Sequence, residues 1–230
     1  MLIKMQNLTK KFEDLEVIKG LNMEVNEDEI VSVIGPSGCG KSTFLNILSG
    51  IITDYDGEYE SSNPKIGYVF QEDRLLPWMT VMENIKIVED KSIDCEVMQI
   101  INDVGLKGFE NAFPDRLSGG MKQRCAIARG FNYKCDLLLM DEPFKSLDYN
   151  LRIDMLNVLI KLWRKSRKSI IFVTHEIDEA LTIADRILIF SKRPSKIIKE
   201  IVLEKETIGK RNINSGEFIK HRCDIINCLR

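Results

Sequence analysis

No apolar run in this chain approaches the roughly 18 residues needed to cross a bilayer, and the first ten residues lack the apolar stretch of a secretory leader. A role at a membrane would therefore require a separate membrane-spanning partner. Neither sign of charge dominates: 33 Lys plus Arg stand against 35 Asp plus Glu, a formal net charge of −2. Proteins that track nucleic acid carry a basic surplus on some face, so nucleic acid is not an expected partner. There is no C-x-x-C pair. Cys39, Cys95, Cys125, Cys135, Cys223 and Cys228 are scattered, and the Cys223/Cys228 spacing has no second pair to complete a zinc site. Reduced thiols are the expectation. Internal repeats and low-complexity linkers are also missing.

What remains is ordinary for a globular chain: 230 residues, 44% of them hydrophobic, enough for one large domain or a core with a smaller inserted lobe. Residues 2–8 alternate loosely, and 21–25 follow a polar turn at 13–16, so the first thirty residues read as short strands. Residues 30–34, 66–70, 137–140, 170–173 and 187–190 are nearly continuous apolar runs, as expected for parallel strands covered on both faces. Between them, Phe44, Leu45, Ile47 and Leu48 share one helical face, with Gly50 as a stop. Leu151, Met155, Val158, Leu159 and Leu162 form another stripe, and a short helix falls at 177–184. Thr80-Val81-Met82-Glu83 matches a capping box, and from there to about residue 135 the pattern is mostly helical. Alternating strands and helices predict an α/β fold with a parallel sheet and a helical insertion in the middle third. After residue 204 the tail is polar and weakly patterned.

Gly35-Pro36-Ser37-Gly38-Cys39-Gly40-Lys41-Ser42 satisfies G-x-x-x-x-G-K-[ST]. Triphosphate oxygens need several backbone N–H groups at close range. Glycines let a loop fold into such a nest, and the helix that follows presents a positive dipole end. Lys41 would supply a point charge to the β- and γ-phosphates, Ser42 a hydroxyl to Mg²⁺, and Thr43 support for the α/β-phosphates. The apolar strand before the motif and the amphipathic helix after it are the required context. Asp141 and Glu142 end the run 137–140, where α/β sheets gather their ligands. Asp141 is placed to hold Mg²⁺ through water, and Glu142 to polarise an attacking water as general base.

Leu117-Ser118-Gly119-Gly120-Met121-Lys122-Gln123-Arg124 decides among phosphate-loop families. Alone, LSGG reads as a serine-capped helix start. With the motifs above, the chain closely resembles the ATP-binding subunits of ABC transporters, over about residues 2–204. The resemblance implies that Ser118, Gly119, Gly120 and Gln123 complete the ATP site of a second copy. It further implies that Gln71 contacts Mg²⁺ and the attacking water, and that Asp148 in Ser146-Leu147-Asp148 lies in the loop crossing the dimer interface. Asp148 also reads as an ordinary cap of the next helix. His175 would touch the γ-phosphate. Phe12, with Val17 beside it, would stack on adenine, unless Phe12 is simply core.

The implied fold is a RecA-like P-loop core with an N-terminal antiparallel β subdomain (1–71 and 125–204), an inserted helical subdomain (72–124) and a tail (205–230). The implied assembly is a head-to-tail homodimer with two ATP between copies, on an integral-membrane permease and indirectly a solute-binding protein, peripheral at the cytoplasmic face of the membrane.

Two stretches narrow the group. The sequence from Phe70-Gln71-Glu72-Asp73-Arg74-Leu75-Leu76-Pro77-Trp78 to Thr80-Val81-Met82-Glu83-Asn84 is similar to a segment of nitrate, sulfonate and taurine importers. So is the stretch from Thr174-His175-Glu176 to Asp185-Arg186, with 191–194. A small-anion or polar-organic importer is the expectation. The alternatives are an exporter or lipoprotein-release ATPase, and a non-transport cassette acting on DNA or ribosomes. The gap between phosphate loop and signature is too short, and too poor in heptads, for a coiled-coil DNA-repair member. Lys145, Gly130 and Cys135 depart from the residues usual in the family. Leu75, Leu76, Trp78 and Met79 form an apolar cluster that either receives a permease helix or packs the helical part.

Overall fold

The computed structural model describes residues 1–89, 91–145, 147–204 and 208–229. Among them nine strands form two sheets. The larger has the order β5-β6-β7-β3-β8-β9: β5 (Ile66–Val69), β6 (Leu137–Asp141), β7 (Ser169–Thr174), β3 (Ile30–Ile34), β8 (Arg186–Phe190) and β9 (Ile197–Val202). The first five run parallel, and every residue of β3, β6 and β7 is buried, which is why those runs carry no polar alternation. The sheet is not wholly parallel. β9 pairs antiparallel with β8, and its half-exposed, Lys- and Glu-bearing pattern is that of an edge strand.

The smaller sheet has the order β2-β1-β4. β1 (Ile3–Phe12) and β2 (Leu15–Val25) form one long hairpin closed at Phe12↔Leu15, rather than short strands parted by a four-residue turn. Three register shifts interrupt the pairing and with it the period-two alternation. β4 (Asp56–Ser61) is an exposed acidic edge strand without an apolar face, so hydropathy does not reveal it.

α1 (Lys41–Leu48) packs Phe44, Leu45, Ile47 and Leu48 against the underside of both sheets and ends before Gly50 at φ +73°. α2 (Val81–Lys86) starts at the expected capping box: Glu83 N–H donates to Thr80 Oγ1, and Thr80 N–H donates to Glu83 Oε2 at 2.7 Å. α3 (Asp94–Asp103) follows. Residues 104–113 are then turns and loop rather than helix, with glycines at positive φ at 105 and 108, before a 3₁₀ turn at Pro114–Arg116.

α4 (Gly119–Asn132) is continuous across the junction expected at 124/125, and its core merges with that of α5 (Tyr149–Ser166). From α4, Arg129 donates to the carbonyls of Asp73 and Arg74, each at 2.9 Å. α6 (Ile177–Ile183) packs on β3 and β7. The tail is not unpatterned: α7 (Gly216–Leu229) buries Phe218 and Ile225, two turns apart, beside α6 and β8. Only these two of its apolar residues are buried, too few to stand out among the helix's polar and charged residues.

Candidate functional site

The phosphate loop joins β3 to α1. Gly38 (φ +74°) and Gly40 (φ +112°) take left-handed conformations that side chains rarely adopt, and no side chain caps α1. A Cβ on Gly35 would stand 2.9 Å from both Cys39 Sγ and Phe190 Cβ. The loop is therefore a main-chain concavity at an uncapped helix start, the arrangement that receives phosphate. Cys39 is buried beneath it, and burial pushes its thiol pKa up. Lys41 folds back across the loop, its ammonium donating to the carbonyls of Gly35 (2.8 Å) and Pro36 (3.1 Å). Ser37 and Ser42 are exposed, while Pro36 and Thr43 are half-buried.

Asp141 closes β6, and Glu142 follows with φ +44°. Asp141 is buried, and burial, the largest influence, lifts its carboxyl above the usual range. The hydroxyls of Ser42 and Tyr68 and the Lys41 ammonium oppose that rise, and Glu142 adds to it. Lys41 Nζ lies 3.8 Å from Glu142 Oε1, which joins the loop to the acid pair. Glu142 Oε2 meets the Lys145 ammonium at 2.9 Å and His175 Nδ1 at 3.4 Å. Burial is the largest influence on Glu142 and pushes upward. Lys145, His175 and Lys41 together outweigh it and hold the carboxyl below its ordinary value.

His175 follows β7 and is partly exposed, its Nε2 3.6 Å from Glu176. Thr174 donates to Glu179 at 2.5 Å, and Arg152 of α5 pairs with Glu176 at 2.5 Å and Glu179 at 3.4 Å. A chain of contacts thus runs from α5 to the histidine turn. Neither Arg152 nor Glu179 announced itself, because partners far apart in sequence leave no local pattern. Tyr68 was equally silent; its hydroxyl stands 3.5 Å from Asp141.

The remaining expected residues divide. Phe12 is 44% exposed at the tip of the hairpin, so it is not a core residue. Val17 is buried and packs on the loop: a Cβ on Gly40 would meet Val17 Cγ1 at 2.7 Å. Ser118 caps α4, accepting from Met121 N–H at 3.3 Å. Gly119 faces open space, whereas a Cβ on Gly120 would strike Leu151 of α5 at 2.6 Å. Gln123 does not stand out with Ser118. It is 3% exposed, and its amide nitrogen has no hydrogen-bond partner. It lines a groove with Gln71, Gly119 and Lys145, so the helix period turns it inward. Asp148 caps α5 through Leu151 N–H at 3.0 Å, while Ser146 lies outside the described residues.

The apolar cluster splits. Leu75 packs on the helical core, and Trp78 is 69% exposed. Beside it, Ala112 and Glu110 carbonyls accept from Val81 and Met82 N–H at 2.9 Å, and that same loop leaves Phe109 and Phe113 exposed.

The sequence profile of the ABC transporter family matches residues 18–145. The chain is 38% identical to an uncharacterised ABC transporter ATP-binding protein of Methanocaldococcus jannaschii, over 99% of this chain and 91% of that protein. It is 43% identical to an aliphatic sulfonates import ATP-binding protein of Pseudomonas syringae pv. tomato, over 86% of each. Against the protein of that description from Bacillus cereus it is 40% identical, over 95% of this chain and 90% of that one. Among solved structures, it is similar to a dimeric bacterial ABC transporter cassette (TM-score 0.77, 30% identity, 88% of this chain and 99% of that one). The post-hydrolysis state of that cassette, bound to ADP and Pi, superposes with a TM-score of 0.75 at 30% identity, over the same shares of the two chains. Extent and identity leave one conclusion: the chain belongs to the ATP-binding proteins of the ABC transporter family, with their P-loop α/β fold, and it binds and hydrolyses ATP.

Proposed function

We propose that this chain is the motor subunit of an importer for a small sulfonate or similar polar anion, working as a homodimer on an integral-membrane permease fed by a solute-binding protein. One observation carries the catalytic half of this reading: Lys41 of the phosphate loop lies 3.8 Å from Glu142 at the neighbouring strand end. The solute class follows from the aliphatic sulfonate importers at about 40% identity over most of the chain. No helix among the described residues is long and apolar enough to cross a membrane, in keeping with a peripheral subunit at the cytoplasmic face.

In this reading Phe12 stacks on the adenine, and the amides of residues 35–43 and Lys41 hold the phosphates. Ser42 and Asp141 are hard oxygen donors brought together at the loop, Asp141 in a burial that disfavours its unpaired charge. That donor set fits Mg²⁺, with Gln71 as a third donor from the groove. Bound there, the ion would neutralise charge on the β- and γ-phosphates. Glu142 takes the proton from the attacking water, and His175 steadies the γ-phosphate. The exposed Ser118–Gly119 turn at the start of α4 serves the ATP of a second copy, and Asp148 approaches the same boundary. Trp78, with Phe109 and Phe113, offers the permease an apolar landing face. The division into a core with β sheet (1–71 and 125–204), a helical part (72–124) and a tail (205–230) belongs to this reading, with α4 bridging the first two.

Lys41→Ala tests it. Each charge-assisted hydrogen bond to phosphate is worth about 1.5–3 kcal/mol, so MgATP affinity should weaken by about tenfold to a hundredfold and hydrolysis should vanish. Full hydrolysis by that variant would refute the reading.

A further inference from the structure

Three groups crowd the carboxylate of Glu142, and the reaction uses two of them. Lys41 and His175 both have places at the phosphates. Lys145 has none, yet it is nearest: its Nζ is 2.9 Å from Oε2, against 3.4 Å for His175 Nδ1 and 3.8 Å from Lys41 to Oε1. The backbone arranges this. Glu142 adopts φ +44°, and Lys145 N–H donates to the Glu142 carbonyl at 3.2 Å, so the turn brings the lysine stem back over its own carboxylate. The pair is unequal. The Glu142 side chain is mostly buried, while that of Lys145 is half exposed at the rim of the groove lined by Gln71, Glu72, Asp73 and Gly119.

We propose that Lys145 is a positioning residue for the hydrolytic reaction: its ammonium holds Glu142 by Oε2 and must let go before that carboxylate can take a proton from water. A general base needs a lone pair within about 2.6–3.2 Å, heavy atom to heavy atom, of the water whose proton it removes. An ammonium at that range makes an ion pair with Oε2, which accepts no hydrogen bond; it offsets the carboxylate's charge and draws the side chain towards itself. Two acids, Glu72 and Asp73, line the same groove and offer the lysine another seat. Both lie on the stretch that leads to Trp78, so movement of that stretch changes how well Lys145 is held away from Glu142. A half-exposed lysine forms a weak pair, so the restraint is mild and reversible.

The proposal rests on Glu142 as the base. Steady-state ATP hydrolysis by the full chain, without a permease, tests it in the wild type, Lys145→Ser, Lys145→Arg and Glu142→Gln. Lys145→Ser should raise kcat about threefold to fivefold, the size of one partly exposed ion pair, with KM for ATP within about twofold. Lys145→Arg retains the cation and should stay at the wild-type rate. An unchanged or lower kcat in Lys145→Ser, an equal rise in Lys145→Arg, or a KM that shifts in step with kcat would each overturn it. Glu142→Gln separates the two readings. If it is inactive while Lys145→Ser gains nothing, only the restraint is wrong. If it turns over at the wild-type rate, the base assignment falls and this proposal with it.

Discussion

Asn84 on α2 is fully buried, and its amide ties down the loop that carries Trp78. Its Oδ1 accepts from Leu76 N–H at 2.8 Å. Its Nδ2 donates towards the carbonyls of Leu76 (3.1 Å), Met79 (2.9 Å) and Thr80 (3.0 Å). An amide nitrogen has two hydrogens, so the side chain makes about three full bonds in all. At about 1 kcal/mol net each, Asn84→Ala should cost about 3 kcal/mol. Asn84→Asp keeps the shape and the accepting oxygen, but turns an acceptor towards three carbonyls in a buried site. It loses about 2 kcal/mol of bonds and adds about 1–3 kcal/mol for an unsatisfied polar group. The isosteric change should therefore be at least as damaging as truncation. For a chain of this length, 3 kcal/mol lowers Tm by about 6–12 °C. Thermal unfolding of the three proteins by circular dichroism checks the order. If Asn84→Asp were milder than Asn84→Ala, or both lost less than about 2 °C, the amide would not be what holds the loop.

Glu142→Gln should bind ATP and accumulate as a dimer on size exclusion; wild-type turnover would remove Glu142 from the base role. Trp78→Ala should lower transport in permease-containing vesicles by about 30-fold, the factor expected for a buried aromatic anchor worth about 2 kcal/mol, and leave ATP affinity unchanged. An equal collapse of ATP binding would refute a docking role. Glu179 faces Thr174, Arg152, Glu176 and Glu142. Burial is the main cause that lifts its pKa from 4.5 to about 7. The folded state then binds more protons than the unfolded one between those values, so Glu179 makes stability fall as pH rises from about 4.5 to 7. Glu179→Gln should flatten that decline in Tm, and parallel curves for the two proteins would contradict it.

The parallel strands were legible because burial on both faces leaves no polar residue in β3, β6 or β7 except at their ends and Ser32. The full length of the hairpin is hidden because its register shifts break alternation at Leu8 and Lys10, and β4 has no apolar side. At the candidate site, what is contiguous in sequence was legible as a group: the loop 35–43, Asp141 with Glu142, and the Ser118 cap. What sequence could not supply was the company each keeps. Lys145 was visible only as an unusual residue, although its spacing of three from Glu142 on a turn was a signal that the two could meet. Gln123 shows the reverse: it stands near Ser118 in the motif but is turned inward to the groove, because neighbours in a motif do not share a face once the motif enters a helix.

The guanidinium of Arg129 grips Asp73 and Arg74 from the last turn of α4, and Ser118 heads that same helix. The stretch leading to Trp78 is thus tied to the same helix that begins at the serine turn, and that helix lies against α5 at Gly120, where any added carbon would jam against Leu151.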